Sequence, residues 1–292
     1  MPTALAQTAD PMQSTEPVPT DAVSIEAVLA DAVQDAKPRR TPERPWALPW
    51  GNQRWEDLVF IHWRVEAGAL ENLLPPELTA DTWDGDAWVG LVPFRICNIR
   101  PRVWPPAAWC PSFWEVNVRT YVRPRGGPAG VWFFSMDAES AMAVLMARWR
   151  WNFNYRKARI RRVAADDQLC LESRRAGLGR AGAGLKLRAR FGEPLERSRT
   201  PIVNGAGNSA ASTLDDFLTE RYLYYSMTRG GRLMVGKVEH EAYQLQKAEV
   251  LELDESLLAA AGIVVHTPPE HVCFCRGVNS TVWGPQRVGS RE

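Results

Sequence analysis

No stretch of this chain reaches 18 uninterrupted apolar residues, so no membrane-spanning helix is expected. The first 24 residues carry acids, prolines and threonines and lack the apolar centre of a secretory signal. Arg39 and Arg40 lack the hydrophobic run that a twin-arginine signal needs. Charge of one sign is missing too: the net charge of +1 leaves no global field to draw a membrane or a nucleic acid. Only four histidines occur, too few for a rich metal site. The five cysteines are odd in number and show no paired C-x-x-C spacing, which reads as free thiols in a reducing, cytoplasmic setting. His271, Cys273 and Cys275 would share one strand face. No fourth ligand is visible to complete a zinc site, so no metal or other cofactor is expected. G-x-S-x-G, P-loop and H-E-x-x-H motifs are all absent. Gly177, Gly179 and Gly182 match G-x-G-x-x-G, but a dinucleotide site needs a helix to follow at once. Here LKLRARF follows and alternates as a strand, so the glycines read as a hairpin loop.

What remains is an ordinary globular composition, 45% hydrophobic and 24% charged, with 13 tryptophans that suit a core or the walls of a ligand cavity. Residues 1–45, rich in Ala, Pro and Thr, are predicted to form a disordered tail. Ile25, Val28, Leu29 and Val33 could line one face of a short docking helix within it. A single domain is expected over 46–290. LVFIHWRV (58–65) is a predicted strand, and Glu66–Leu74 is a helix stopped by Pro75 and Pro76. Ala87–Ile99 is a second strand, with Pro93 marking an edge or a bulge. Later strands are predicted at 235–243, 248–253 and 271–282, and 213–225 starts as a helix and runs into a strand. Arg148–Arg199 holds 15 Lys and Arg against 5 Asp and Glu. That basic stretch could hold nucleic acid, yet its cations are spread over strands that also cross a core, so nucleic acid is not the expected partner.

The centre of the chain is FWEVNVRTYV (113–122), a Pro/Gly turn, GVWFFSMD (130–137), and a helix that Asp137 would cap. Trp114, Val116, Val118, Thr120 and Val122 face one way along the first strand; Phe113, Glu115, Asn117, Arg119 and Tyr121 face the other. By period alone the second face is either solvated or the inside of a barrel. The helix is apolar nearly all round, which predicts burial, and it is expected to carry Tyr155, Arg156 and Lys157 at its end. A lysine beside another cation has a lowered pKa and becomes a nucleophile toward carbonyls.

The segments FIHWRVEAGALENLLPPEL, DGDAWVGLVPF, FWEVNVRTYVRPRGGPAGVWFFSMDA, DDFLTERYLYYS and HEAYQLQKAEV resemble the YqjF-like proteins of unknown function, in order and over most of 46–290. That family is similar in fold to acetoacetate decarboxylase. The resemblance implies a β-rich α+β fold, a closed or cone-shaped antiparallel barrel with a few short helices and a small-molecule cavity. In the decarboxylase an aromatic-Pro-Lys-Lys pattern supplies a Schiff-base lysine. Aligned on Phe153 and Ala158, this chain has Asn154 for the proline, Tyr155 for that lysine and Arg156 for its cationic neighbour, so the nucleophile is missing from its place. His240 and Glu241 fall on a matching pair.

The expected pocket is lined by His62, Glu115, Arg119, Tyr155, Arg156 and His240. Arg119 or Arg156 would hold a carboxylate, Tyr155 would donate to a carbonyl, and Glu115 or His240 would move protons. The leading expectation is a cytoplasmic protein that binds a small carboxylate- or carbonyl-bearing molecule, with Glu115→Gln abolishing binding or turnover while the domain stays folded. A second is an imine-forming decarboxylase or lyase using Lys157. A third is a non-catalytic homo-oligomer held by exposed aromatics.

Overall fold

The computed structural model describes residues 48–102, 111–165, 168–176, 182–196 and 213–288. The expected tail, residues 1–45, and the glycines at 177 and 179 lie outside them. Twelve strands and four short helices make up the described chain. The long strands are β1 (Gly51–Val65), β3 (Ala87–Pro101), β4 (Phe113–Pro124) and β12 (His271–Arg287), and β2 is only Leu78–Ala80. β5 (Gly130–Ala138) leads through a helix to β6 (Tyr155–Ala165), then come β7 (Gln168–Arg175) and β8 (Gly184–Pro194). β9 (Leu223–Met227), β10 (Leu233–His240) and β11 (Leu245–Glu255) complete the set. The helices are α1 (Ala67–Glu71), α2 (Ala141–Trp151), α3 (Leu214–Thr219) and α4 (Leu257–Ala260). None is long and apolar enough to cross a membrane. All twelve strands belong to one sheet, in the order β10-β9-β5-β6-β7-β8-β11-β12-β1-β3-β4-β2, with further pairings of β10 to β12 and of β5 to β4.

The predicted strands and the central hairpin form because β-branched and aromatic residues fit a pleated surface. The hairpin pairs antiparallel from Glu115 opposite Ala138 to Val122 opposite Gly130. Pro93 sits where β1 and β3 lose register, between the pairs Glu56–Arg95 and Ile61–Leu91, because proline cannot donate to a ladder. β1, β3 and β4 are buried on both faces. Val59, Ile61, Val89, Leu91, Val116 and Val118 pack into one cluster, and Leu58, Phe60, Val92, Phe94 and Phe113 into another on the opposite side.

Three expectations around α2 are corrected. Its N-cap is Ser140, whose side chain accepts from the Ala143 N–H. Asp137 remains in β5, fully buried, where Arg175 grips its carboxylate through Nε and Nη2 at 2.8–3.0 Å. Nor is α2 buried all round: Val144 and Ala147 are covered, while Leu145 and Trp149 are about two-thirds exposed. Asn152 closes the helix in the left-handed conformation, φ 54°, a C-terminal geometry that asparagine tolerates. The chain therefore enters β6 at Tyr155, and Tyr155, Arg156 and Lys157 open a strand that pairs parallel with β5.

The basic stretch is spread across β6, β7 and β8, and β11 supplies acids against it: Lys186 and Arg188 meet Glu252, and Arg190 meets Glu249.

Close packing behind the sheet makes one glycine indispensable. A Cβ on Gly236 would lie 2.0 Å from the Tyr224 ring, whose hydroxyl donates to the Trp283 carbonyl at 2.6 Å. Gly236→Ala is expected to cost about 1–3 kcal/mol through overpacking, seen as a lower urea midpoint with an unchanged slope.

Candidate functional site

Alternation along β4 sends Phe113, Glu115, Asn117 and Arg119 into a cavity of about 230 Å³. β3 adds Val92 and Phe94, Tyr155 enters from the start of β6, and α2 covers one side with Ala143, Met146 and Ala147. Phe133, Phe153, Tyr224 and Tyr243 supply aromatic wall. One strand thus carries a carboxyl, an amide and a guanidinium, about 6.6 Å apart along the strand at each step, into an otherwise apolar space.

Glu115 is 2% exposed. Burial pushes its carboxyl up to about 8; hydrogen bonds from Tyr155 and Asn117 oppose that rise, and the Asp137 charge adds to it. At neutral pH it is an uncharged acid, and its Oε2 has no hydrogen-bond partner among the described residues. Burial, then the neighbouring Glu115, holds the Tyr155 phenol well above its usual range, so it stays a neutral donor.

The far end of the cavity is cationic. Arg119 donates from Nη2 to the Leu218 carbonyl at 2.8 Å and to the Tyr121 hydroxyl at 3.3 Å. Arg221 donates from Nε to the Phe217 carbonyl at 2.7 Å and from Nη1 to Asp81 at 2.8 Å. The two guanidiniums lie against the Tyr121 ring, 5.6 and 5.1 Å from its centroid. Both line the cavity, and among the described residues each keeps one buried nitrogen without a partner, Nε of Arg119 and Nη2 of Arg221. A buried donor left unmade costs about 1–3 kcal/mol; an anion would recover that at both residues.

Of the residues expected from sequence, the cavity brings together Glu115, Arg119 and Tyr155. His62 lies behind Arg119, its Nε2 2.7 Å from the Tyr121 hydroxyl and its Nδ1 2.9 Å from Nδ1 of His271. His240 lies behind the wall, stacked on Tyr222 at 4.8 Å and tilted on Tyr243 at 4.4 Å. Arg156 is exposed. Lys157 shares the strand face of Tyr155, but its amine donates to the carbonyls of Glu139 and Ala158 and it does not line the cavity. His271 turns to His62 and Asp215, while Cys273 and Cys275 are fully buried in the core. No group of three or more metal-ligating side chains forms among the described residues.

Sequence reasoning passed over Arg221 and Asn117. Asn117 was legible from its place between Glu115 and Arg119. Arg221 was not, because its partner Asp81 is 140 residues away.

Five likenesses to known proteins accompany this geometry. The profile of the DUF2071 family, described as an uncharacterized conserved protein, matches residues 52–279. The uncharacterized protein YqjF of Bacillus subtilis (strain 168) is 31% identical over 77% of this chain and 85% of its own. Among solved structures, an acetoacetate decarboxylase-like enzyme from Sphingomonas wittichii RW1 superposes with a TM-score of 0.54 at 12% identity, over 84% of this chain and 95% of that one. The acetoacetate decarboxylase of Legionella pneumophila gives 0.52 at 15% identity, over 85% and 92%. The enduracididine biosynthesis enzyme MppR complexed with pyruvate gives 0.52 at 12%, over 85% and 93%. These structures share the fold.

Proposed function

The chain belongs to the DUF2071 family, and we propose that its cavity binds a small molecule carrying a carboxylate and a carbonyl group. The sheet is read as a barrel around that cavity, a reading supported by the pairings of β10 with β12 and β5 with β4 beyond the linear strand order. At about 230 Å³ the space is below the roughly 300–1,000 Å³ of drug-sized sites, which suits a short keto acid. The observation that carries the reading is the pair of buried, incompletely hydrogen-bonded guanidiniums, Arg119 and Arg221, in an aromatic cavity. They hold the carboxylate. The uncharged Glu115 and the Tyr155 hydroxyl donate to the carbonyl, and Glu115, with its affinity for a proton set near pH 8, is the group able to pass that proton on.

Pyruvate, the ligand of the MppR complex, is the probe. Titration calorimetry should show binding that Arg119→Met weakens by about tenfold or more, the value of one charge-assisted hydrogen bond. Equal affinity in the variant would remove Arg119 from the site. Borohydride reduction in the presence of pyruvate should leave the intact mass unchanged, since the Lys157 amine is engaged by two backbone carbonyls. An adduct that disappears in Lys157→Ala would instead establish imine chemistry.

A further inference from the structure

Behind the cationic end of the cavity runs a chain of hydrogen bonds that the binding reading does not use. The Asp215 carboxylate, from α3, lies 2.8 Å from Nε2 of His271. Nδ1 of His271 lies 2.9 Å from Nδ1 of His62. Nε2 of His62 lies 2.7 Å from the Tyr121 hydroxyl, which also reaches the Leu218 carbonyl at 2.6 Å and accepts from Arg119. The chain runs from Asp215, 31% exposed, to fully buried His62 and Tyr121.

Two ring nitrogens that face each other share one proton, and with Asp215 ionised and the buried His62 neutral that restricts the chain to two arrangements. In the first, His271 is an imidazolium. It donates to Asp215 and to Nδ1 of His62, His62 carries its proton on Nε2 and donates to Tyr121, and the Tyr121 hydroxyl donates to Leu218. In the second, His271 is neutral and keeps its proton on Nε2 toward Asp215. Its bare Nδ1 then accepts from Nδ1–H of His62, whose Nε2 accepts from Tyr121, and Leu218 is left to Arg119 alone. The first satisfies every contact; the second leaves the Tyr121 and Leu218 oxygens, 2.6 Å apart, without a proton between them, and the two differ by one proton. A neutral His271 protonated on Nδ1 would set a lone pair against the Asp215 carboxylate.

We propose that Asp215, His271, His62 and Tyr121 form a one-proton switch, in which the charge state of His271 sets the tautomer of His62, the direction of the Tyr121 hydroxyl and so the hydrogen bonding around Arg119. Its regulatory role rests on the anion-binding reading of the cavity; the proton coupling does not. The other charged and titratable groups facing the chain are Arg119 from β4, Arg221 beyond α3, Cys273 on β12, and Glu270 beside His271, paired with Arg64. Burial first, then the charges of His271 and Arg119, holds His62 well below the usual imidazole range. It therefore answers a proton at His271 by changing tautomer instead of charge. Imidazolium at His271 adds positive potential behind Arg119, so anions are held better while His271 carries its second proton.

The test is a pH titration of the full chain labelled with ¹⁵N-histidine and ¹³C-carbonyl leucine, followed by NMR. As His271 loses its proton, the ring nitrogens of His62 should exchange their protonated and bare shifts, and the Leu218 carbonyl should move upfield with the same midpoint. In Asp215→Asn the three responses should still occur together, because the coupling runs through the His271–His62–Tyr121 contacts. A His62 that keeps one tautomer throughout, or that itself becomes doubly protonated, overturns the switch. A Leu218 carbonyl that stays still while both histidines respond overturns the link to Arg119. Pyruvate affinity measured alongside should fall a few-fold across the His271 midpoint, and His271→Asn should flatten that step. Absence of pyruvate binding with the tautomer exchange intact would overturn the cavity reading and the regulatory role together. Binding without the exchange would overturn the switch alone.

Discussion

Glu115→Gln should be more stable than the wild-type protein above pH 5, and its advantage should widen as the pH rises. The Glu115 carboxyl titrates near 4.5 when unfolded and near 8 when buried. Between those values the folded chain holds a proton that the unfolded chain has released, so wild-type stability falls with rising pH. The slope is about 1.4 kcal/mol per pH unit, and it flattens above about pH 8. Glutamine keeps the shape of the neutral acid and does not titrate. The gap between the two proteins should grow by about 4 kcal/mol between pH 5 and pH 8, roughly 10 °C in Tm for a domain of this size. His62, whose depressed affinity for a proton acts in the opposite direction, is present in both and cancels. Thermal melts at pH 5, 6.5 and 8 measure the gap; parallel curves would mean that Glu115 is ionised in the folded state. The same variant separates roles, because glutamine can still donate a hydrogen bond to a carbonyl but cannot pass a proton.

The second large effect is structural. Asp137 has no exposed side-chain surface, and its partner Arg175 is 17% exposed. Nη2 of Arg175 also donates to the Ser135 hydroxyl at 2.7 Å. Burial raises the Asp137 carboxyl even though Arg175 pulls it down, so the pair is held together against a large desolvation cost. Arg175→Met should lose about 3–5 kcal/mol at pH 8, the cost of stranding one partner of a buried pair. The loss should shrink toward pH 5, because the stranded carboxyl then takes up a proton as the chain folds. Chemical unfolding at the two pH values reads this directly. A loss below about 1 kcal/mol, or one independent of pH, would show that the carboxylate finds another partner. Asp137→Asn combined with Arg175→Met should recover part of the stability, since no charge is left to bury.

The sequence by itself determined the central hairpin and most of the long strands. Alternation in FWEVNVRTYV placed Glu115, Asn117 and Arg119 on one face, Pro93 marked the irregular register, and the turn after Arg123 joined the central hairpin. These are local properties of a chain with period two, readable wherever neighbours along the backbone decide the outcome. The resemblance of five segments to YqjF-like proteins carried the family and the kind of fold. The tertiary structure decided which side chains meet. Asp137, the expected helix cap, was claimed by Arg175 from β7, and the end of the helix came at Asn152, so that Tyr155 and Lys157 fell on a strand and Lys157 turned to backbone carbonyls. His62 and His271 meet across 209 residues, and Arg221 and Asp81 across 140. Such pairs are chosen by burial, where a charge or an imidazole without a partner is costly. Pairing of that kind depends on distance in space, which no local pattern encodes.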